Sequence, residues 1–144
     1  MKTILAAVLF LVMAHPTQKK EITDNEYVKI VMQTGETMST GAAGTLSFQF
    51  IPAEGIHVNT NPAIELVTEK NSPFTITGEP KFTKDKHGYL NTAKKVRVTF
   101  SAKKGTPAGK YALKGSLRYF FCSDKDGWCN RHAQPIEISV DLTK

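Results

Sequence analysis

This sequence has few of the features that point to common enzyme classes. It has no glycine-rich phosphate-binding loop, because residues 41–44 lack both the lysine and the strand-to-helix context that such a loop requires. The serines fall in no nucleophile motif, and the glutamates form no evident acid/base pair. Nineteen lysines and arginines outnumber 13 aspartates and glutamates, but they are dispersed and do not form the basic stripe that nucleic-acid binding needs. We therefore predict no nucleic-acid partner, and no motif indicates a cofactor.

Long apolar runs are also rare, and the one that exists lies at the N-terminus. Lys2 precedes an apolar run over residues 3–14, which is shorter than the roughly 20 apolar residues that a bilayer-spanning helix needs. A positive residue followed by a short apolar run and a polar stretch is typical of a secretory signal peptide. We predict a signal peptide over residues 1–14, a periplasmic or secreted location, and no stable membrane insertion after cleavage. An uncleaved amphipathic or buried helix is the alternative.

The rest of the chain, residues 20–144, has no sustained helical pattern and alternates with period two. Leu46, Phe48 and Phe50 alternate with polar neighbours, and this is the pattern of a half-buried strand. Turn signals separate about eight such segments within a length that favours one domain. We predict an all-β, immunoglobulin-like antiparallel sandwich of about 7–9 strands. Residues 79–93 carry no clear period, and we predict a long loop there.

Two cysteines flank a short polar loop near the C-terminus. Cys122 and Cys129 enclose residues 123–128, and Asp126 with Gly127 forms a strong turn dipeptide. We therefore expect the chain to double back and bring both sulfurs within the range of a disulfide. Export to an oxidising compartment favours that bridge. Cys122 and Cys129 are the candidate catalytic residues of a thiol–disulfide exchange site.

The residues leave open whether this bridge is structural or takes part in exchange. A closed loop of about eight residues limits the entropic stabilisation to about 2.5 kcal/mol, below the gain from joining distant strands. Strand alternation places Cys122 on the face of Lys114 and Arg118, so we expect it near solvent. Nearby cations favour the thiolate and nearby carboxylates oppose it. These groups are Arg118, Lys125, Arg131 and His132 against Asp124 and Asp126.

Further hypotheses concern the segment around the two cysteines. Trp128 is either a packing lid over the bridge or an exposed anchor for a partner, and its position beside Cys129 favours Cys129 as the client-facing cysteine. Cys122, Cys129 and His132 could instead bind zinc or copper, although a closed zinc site wants a fourth ligand. A non-catalytic exported binding module with a structural local disulfide is the remaining alternative.

The residues around the cysteines also carry a resemblance. The run Tyr119 to Cys122, a short loop with Asp, Gly and Trp, Cys129, and a final alternating strand after Pro135 are similar to the N-terminal periplasmic domain of the thiol:disulfide interchange protein DsbD. Residues 50–59, in which Gly, His and Val lead into an Asn/Pro turn, are similar to the same family. The resemblance implies an immunoglobulin-like fold, with Cys122 and Cys129 as the two active cysteines.

The resemblance also implies partners and a cap. The family takes reducing equivalents from a membrane-embedded reductase through a thioredoxin-like domain and passes them to oxidised periplasmic clients. We accordingly expect a thioredoxin-like or membrane thiol reductase as donor. The family covers its cysteine pair with an aromatic loop, and residues 79–93 are the candidate here, with Phe82 or Tyr89 as the cap. An ordinary surface loop with a buried aromatic anchor is the alternative. Six residues separate the cysteines, which is longer than we expect for the best-known members of that family.

Overall fold

The computed structural model describes residues 19–22, 25–33 and 37–144, so the predicted signal peptide lies outside the described residues. The described residues form ten strands. They are β1 (Lys19–Ile22), β2 (Val28–Gln33), β3 (Thr37–Ser39), β4 (Ala43–Pro52), β5 (Ile56–Val58), β6 (Glu65–Thr68), β7 (Phe74–Ile76), β8 (Val96–Ala102), β9 (Gly109–Ser123) and β10 (Trp128–Thr143). Within these ranges, no helix has the length and apolar character needed to cross a bilayer.

The strands build two five-stranded sheets. The first sheet has the order β1-β2-β4-β8-β7, and the second has the order β3-β10-β9-β5, with β6 also paired to β9. Every pairing of named strands is antiparallel except that of β3 with β10. This is the immunoglobulin-like β-sandwich that the alternation predicts. The described strands outnumber the predicted ones because β3 is too short to show a period and β1 is mostly polar in sequence.

The core lies between the facing sides of the two sheets and follows the predicted period. Phe48 and Phe50 of β4 and Leu113 and Leu117 of β9 are buried, as are alternate residues of β10 from Gln134 to Leu142. Burial of this apolar surface is the main stabilising term of the fold.

Two residues on the inner face of β9 have special environments. A Cβ at Gly115 would lie 2.4 Å from the carbonyl oxygen of Val67, so glycine is what lets β6 pair closely with β9. Tyr119 is fully buried, and its hydroxyl accepts a hydrogen bond from Asn25 at 3.3 Å. Burial raises the pKa of Tyr119 to about 12, an effect that this hydrogen bond opposes.

Strands β9 and β10 form a long two-stranded ribbon that carries the cysteines at one end. Their register pairs 15 consecutive positions, from Trp128 opposite Ser123 to Leu142 opposite Gly109. On its other edge, β9 pairs with β6 in the middle and with β5 next to the hairpin. Three strands, β5, β9 and β10, therefore lie side by side at the cysteine end.

Candidate functional site

Cys122 and Cys129 form a disulfide at the tip of the β9–β10 hairpin. They are directly opposite each other in the ladder, with their Cα atoms 4.0 Å apart. The backbone N–H of Gly127 donates to the carbonyl of Ser123 at 2.9 Å, and Gly127 has a positive φ of 70°, a conformation that favours glycine. The Ser123 hydroxyl donates to the Asp126 carboxylate at 3.0 Å. The predicted turn and bridge are therefore both present.

The two cysteines differ in exposure. Cys122 is 6% exposed, whereas Cys129 is exposed to solvent. The expectation that Cys122 lies near solvent is therefore wrong. Alternation correctly placed it on the outer face of β9, but β5 pairs with β9 at this point and places His57 directly opposite Cys122. The ring of Tyr89 from the 79–93 loop stacks on His57, so side chains lie beside Cys122 on the outer face as well as the inner one.

The 79–93 segment is a loop, as predicted, and it is held in place by hydrogen bonds. The backbone N–H of Asp85 donates to the carbonyl of Tyr89 at 2.8 Å, and the Asp85 carboxylate accepts from the backbone N–H of Tyr89 at 3.0 Å. Two bonds attach the loop to β5 and the residues after it. Leu90 N–H donates to the Val58 carbonyl at 2.9 Å, and the Thr60 hydroxyl donates to the carbonyl of residue 88 at 2.7 Å.

The loop's two aromatic residues have different positions. The ring of Tyr89 stacks on the ring of His57, with centroids 3.6 Å apart and an interplanar angle of 29°. Phe82 packs partly buried against the core instead. Of the two candidates for a cap, Tyr89 is therefore the one that the fold brings beside the cysteines.

A cavity of about 430 Å³ opens beside the bridge. Both cysteines line it, together with side chains from β5, from the turn after β5, and from the tip of the 79–93 loop. Among the residues that line the cavity, Asn59 contacts the sulfur of Cys122, and the rings of His57 and Tyr89 stack on each other. The cavity gives access to the disulfide from a concave surface of mixed polar and apolar character.

Two polar side chains in this wall lie close to the bridge. The Nδ2 group of Asn59 donates a hydrogen bond to Cys122 Sγ at 3.2 Å. The Nδ1 atom of His57 lies 3.2 Å from Asp124 Oδ2, and the Asp124 side chain is 74% exposed. Solvent screens such an exposed pair, so it contributes at most about 1 kcal/mol to stability.

Sequence reasoning assigned neither His57 nor Asn59 to the site. Asn59 and Cys122 are 63 residues apart in the chain, and the pairing of β5 with β9 brings them together. The sequence connects residues 50–59 with the cysteines only through the resemblance to one family. That resemblance was the signal in the sequence that could have linked Asn59 to Cys122, since it covers both residues 50–59 and the segment around the cysteines.

Trp128 contributes to the cavity wall, but its ring is anchored in the core. The indole lies 5.0 Å from the Tyr27 ring and 5.9 Å from the Phe121 ring, centroid to centroid, and it is half-buried. These contacts are on the inner side of the ribbon. A role of Trp128 in partner contact stays a prediction.

The structure contradicts the alternative metal set of Cys122, Cys129 and His132. Both sulfurs are joined in the bridge. Side chains alternate along β10, so His132 lies on the opposite face from Cys129, where its ring contacts Tyr119 at 5.7 Å and its Nε2 lies 3.2 Å from the side-chain oxygen of Gln134. Among the described residues, no group of three or more His, Cys, Asp or Glu side chains is arranged to hold a metal ion.

Of the cations expected near the bridge, Arg118 is engaged elsewhere. Its Nη1 atom lies 3.9 Å from Glu65 Oε2 of β6, and both side chains are partly exposed. His132 is on the other face of the ribbon. His57, which is remote from the cysteines in sequence, lies directly opposite Cys122 in the ladder.

Comparisons with known proteins support the fold and stop there. No protein-family model matches the chain, and no curated protein matches it. Among solved structures, the GAE domain of yeast GGA1 superposes with a TM-score of 0.50 at 8% identity, covering 84% of this chain and 98% of that one. Murine CRIg matches with a TM-score of 0.33 at 12% identity, covering 80% and 98%, which is too low to support an argument. The first similarity agrees with an immunoglobulin-like β-sandwich and says nothing of activity.

Proposed function

We propose that this chain is an exported thiol–disulfide exchange domain that carries reducing equivalents through the Cys122–Cys129 pair. The observation that carries the proposal is the asymmetry of the bridge. Cys129 is exposed at the tip of a hairpin, and Cys122 is covered and forms part of a cavity wall. A bridge that served only to close a hairpin would need neither an accessible sulfur nor a cavity beside it. The resemblance to the N-terminal domain of DsbD points the same way.

The asymmetry assigns different roles to the two sulfurs. A thiolate of the reduced donor attacks the exposed Cys129 Sγ, the S–S bond breaks, and Cys122 leaves as a thiolate. The donor's second thiolate then attacks the donor sulfur of the mixed disulfide and releases Cys129. Two electrons have passed to the domain, and the donor leaves as a disulfide.

Delivery to a client runs through the same atoms in the opposite sense. The Cys129 thiolate attacks a client disulfide and forms a mixed disulfide, while one client thiolate leaves. The Cys122 thiolate then attacks Cys129 Sγ, reforms the internal bridge and releases the second client thiolate. The proposed donor is a thioredoxin-like or membrane thiol reductase, and the proposed clients are oxidised periplasmic proteins.

The reduction potential of the pair tests the proposal. We expect the full chain, equilibrated with glutathione buffers, to show a potential in the range of exchange proteins, above about −300 mV. A value below about −300 mV would mark a structural bridge and overturn the proposal. A matched pair of variants tests the roles. Cys122→Ser, which leaves Cys129 free, should form a mixed disulfide with oxidised glutathione much faster than Cys129→Ser does.

The second candidate is a non-catalytic exported binding module, and the burial of Cys122 favours it. A sulfur that is 6% exposed is protected, as in a structural disulfide. This candidate predicts a potential below about −300 mV. The reduction potential therefore decides between the candidates, because Cys129 is the more accessible cysteine in both.

A further inference from the structure

We infer that Asn59 is the residue that stabilises the thiolate of Cys122 when the bridge opens. The inference deepens the proposed function and rests on it for its biological purpose, but the physical interaction can be measured independently. Asn59 Nδ2 already donates to Cys122 Sγ at 3.2 Å in the disulfide state. Asn59 therefore touches a sulfur that gains negative charge during exchange.

Cys122 needs such a donor because of where it lies. At 6% exposure, its sulfur has little access to water, and desolvation raises the pKa of a buried thiol by disfavouring the thiolate. A hydrogen bond to the charged form acts in the opposite direction. Bonds to an ionised acceptor are roughly twice as strong as neutral ones, so the contact strengthens as Cys122 leaves.

The backbone holds the amide at the required place. The N–H of Asn59 donates to the carbonyl of Phe120 at 2.8 Å, directly after β5 ends. On the other side, the carbonyl of Val58 accepts from the N–H of Leu90 in the 79–93 loop at 2.9 Å. Asn59 is thus fixed between β9 and the loop, and its position relative to Cys122 is set by the β5–β9 register.

Stability alone does not account for an amide at this position. The Oδ1 atom of Asn59 is buried and has no hydrogen-bond partner among the described residues. An unpaired buried acceptor destabilises the folded state. An apolar side chain of similar volume would avoid that cost, so the amide is better explained by what its N–H group does at the sulfur.

The other titratable groups around this sulfur come from each element packed on it. His57 faces it from β5, Tyr89 from the loop, Asp124 from the hairpin turn and Cys129 from β10. His57 has its Nδ1 next to Asp124. Of the described side chains, Asn59 is the one that donates a hydrogen bond to Cys122 Sγ.

The test measures the pKa of the Cys122 thiol from the pH dependence of its alkylation by iodoacetamide. The full chain carries Cys129→Ser, so that only Cys122 reacts. Adding Asn59→Leu removes the donor at similar volume, and we expect the pKa to rise by about one unit, a tenfold fall in acid dissociation. Asn59→Asp should raise it further, because a carboxylate repels the thiolate. Asn130→Ala, which removes an amide next to Cys129 on the other face of β10, should leave the pKa unchanged.

A pKa of Cys122 that is the same with Asn59 and with Leu at this position would overturn the inference. A rise of equal size in Asn130→Ala would also overturn it, since the effect would then not belong to Asn59. If the Asn59 variants fold poorly, the interaction can be measured in the chain that carries Cys129→Ser alone. The side-chain amide protons of Asn59, followed by NMR, should shift with the titration of Cys122, and a flat profile would contradict the assignment.

This test is separable from the proposed function. A reduction potential in the range of structural disulfides, together with a raised pKa in Asn59→Leu, would remove the exchange function and retain the interaction. A potential in the exchange range with an unchanged pKa would do the reverse. We expect Asn59→Leu to be at least as stable as the parent to urea, because the unpaired Oδ1 is lost.

Discussion

The body and the tip of the β9–β10 ribbon differ in their pattern of burial. The body of the ribbon consists of residues 109–119, which pair with residues 132–142. In the body, one face packs on the opposite sheet, and alternate residues of β10 are exposed. At the tip, Phe121, Cys122 and Ser123 are buried in succession. At the tip, β5 pairs with β9 and places His57 opposite Cys122, and the ring of Tyr89 from the 79–93 loop stacks on His57. The cavity lies at this end of the ribbon.

The chemistry proposed for the tip is therefore separable from the stability of the body. Apolar burial in the body holds the sandwich together. At the tip, polar side chains lie next to a sulfur, and a cavity opens beside the bridge. Changes in the body should therefore alter the free energy of unfolding, and changes at the tip should alter reactivity.

The largest expected effect comes from shortening a buried side chain in the body of the ribbon. Leu117 is fully buried at the centre of β9, and Leu117→Ala should lower the free energy of unfolding by about 2–5 kcal/mol through lost burial and a residual cavity. Urea denaturation measures this change. The rate at which dithiothreitol reduces the bridge under native conditions should stay unchanged. A reduction rate that moved with stability would show that the tip opens by unfolding of the body.

The next effect is a loss of stability at high pH that depends on Tyr119. Because the pKa of Tyr119 is raised from 10.0 to about 12, the unfolded chain releases this proton first as the pH rises. Stability is therefore unaffected by this residue below about pH 10 and falls by about 1.4 kcal/mol per pH unit between pH 10 and 12. Thermal denaturation across this range measures the slope. Tyr119→Phe should remove this part of the slope, and an unchanged slope would contradict the assignment.

The smallest effect concerns the cap. Tyr89→Ala removes the ring that stacks on His57 and lines the cavity, so dithiothreitol should reduce the bridge several-fold faster while stability changes by less than about 1 kcal/mol. Phe82→Ala in the same loop is the control. It removes an aromatic ring packed on the core, so it should lower stability and leave the reduction rate as it was. Equal acceleration by both variants would mean that loosening of the loop, and not the Tyr89 ring, controls access.

The same division explains what could be predicted from the sequence. Alternation is a local property, so it correctly predicted half-buried strands such as β4, and a turn dipeptide correctly predicted the hairpin that joins Cys122 to Cys129. The sequence predicts a short strand at residues 56–59, where β5 lies. Burial of Cys122 depends on the pairing of that strand with β9, which is a property of the whole fold. Neither the cover over Cys122 nor the contact with Asn59 could be read from local pattern. The alternative metal set of Cys122, Cys129 and His132 was wrong because side chains alternate between the two faces of a strand, and residues three apart, such as Cys129 and His132, lie on opposite faces.

The tight turn that joins the cysteines has a practical consequence for handling the protein. Lys125 lies exposed in this turn, between the two bridged residues. A trypsin-like protease that cut after Lys125 would produce two fragments that stay joined by the S–S bond and by the paired strands. Such a nicked sample would migrate as an intact chain on a gel run without reductant, and it would separate into two bands only after reduction.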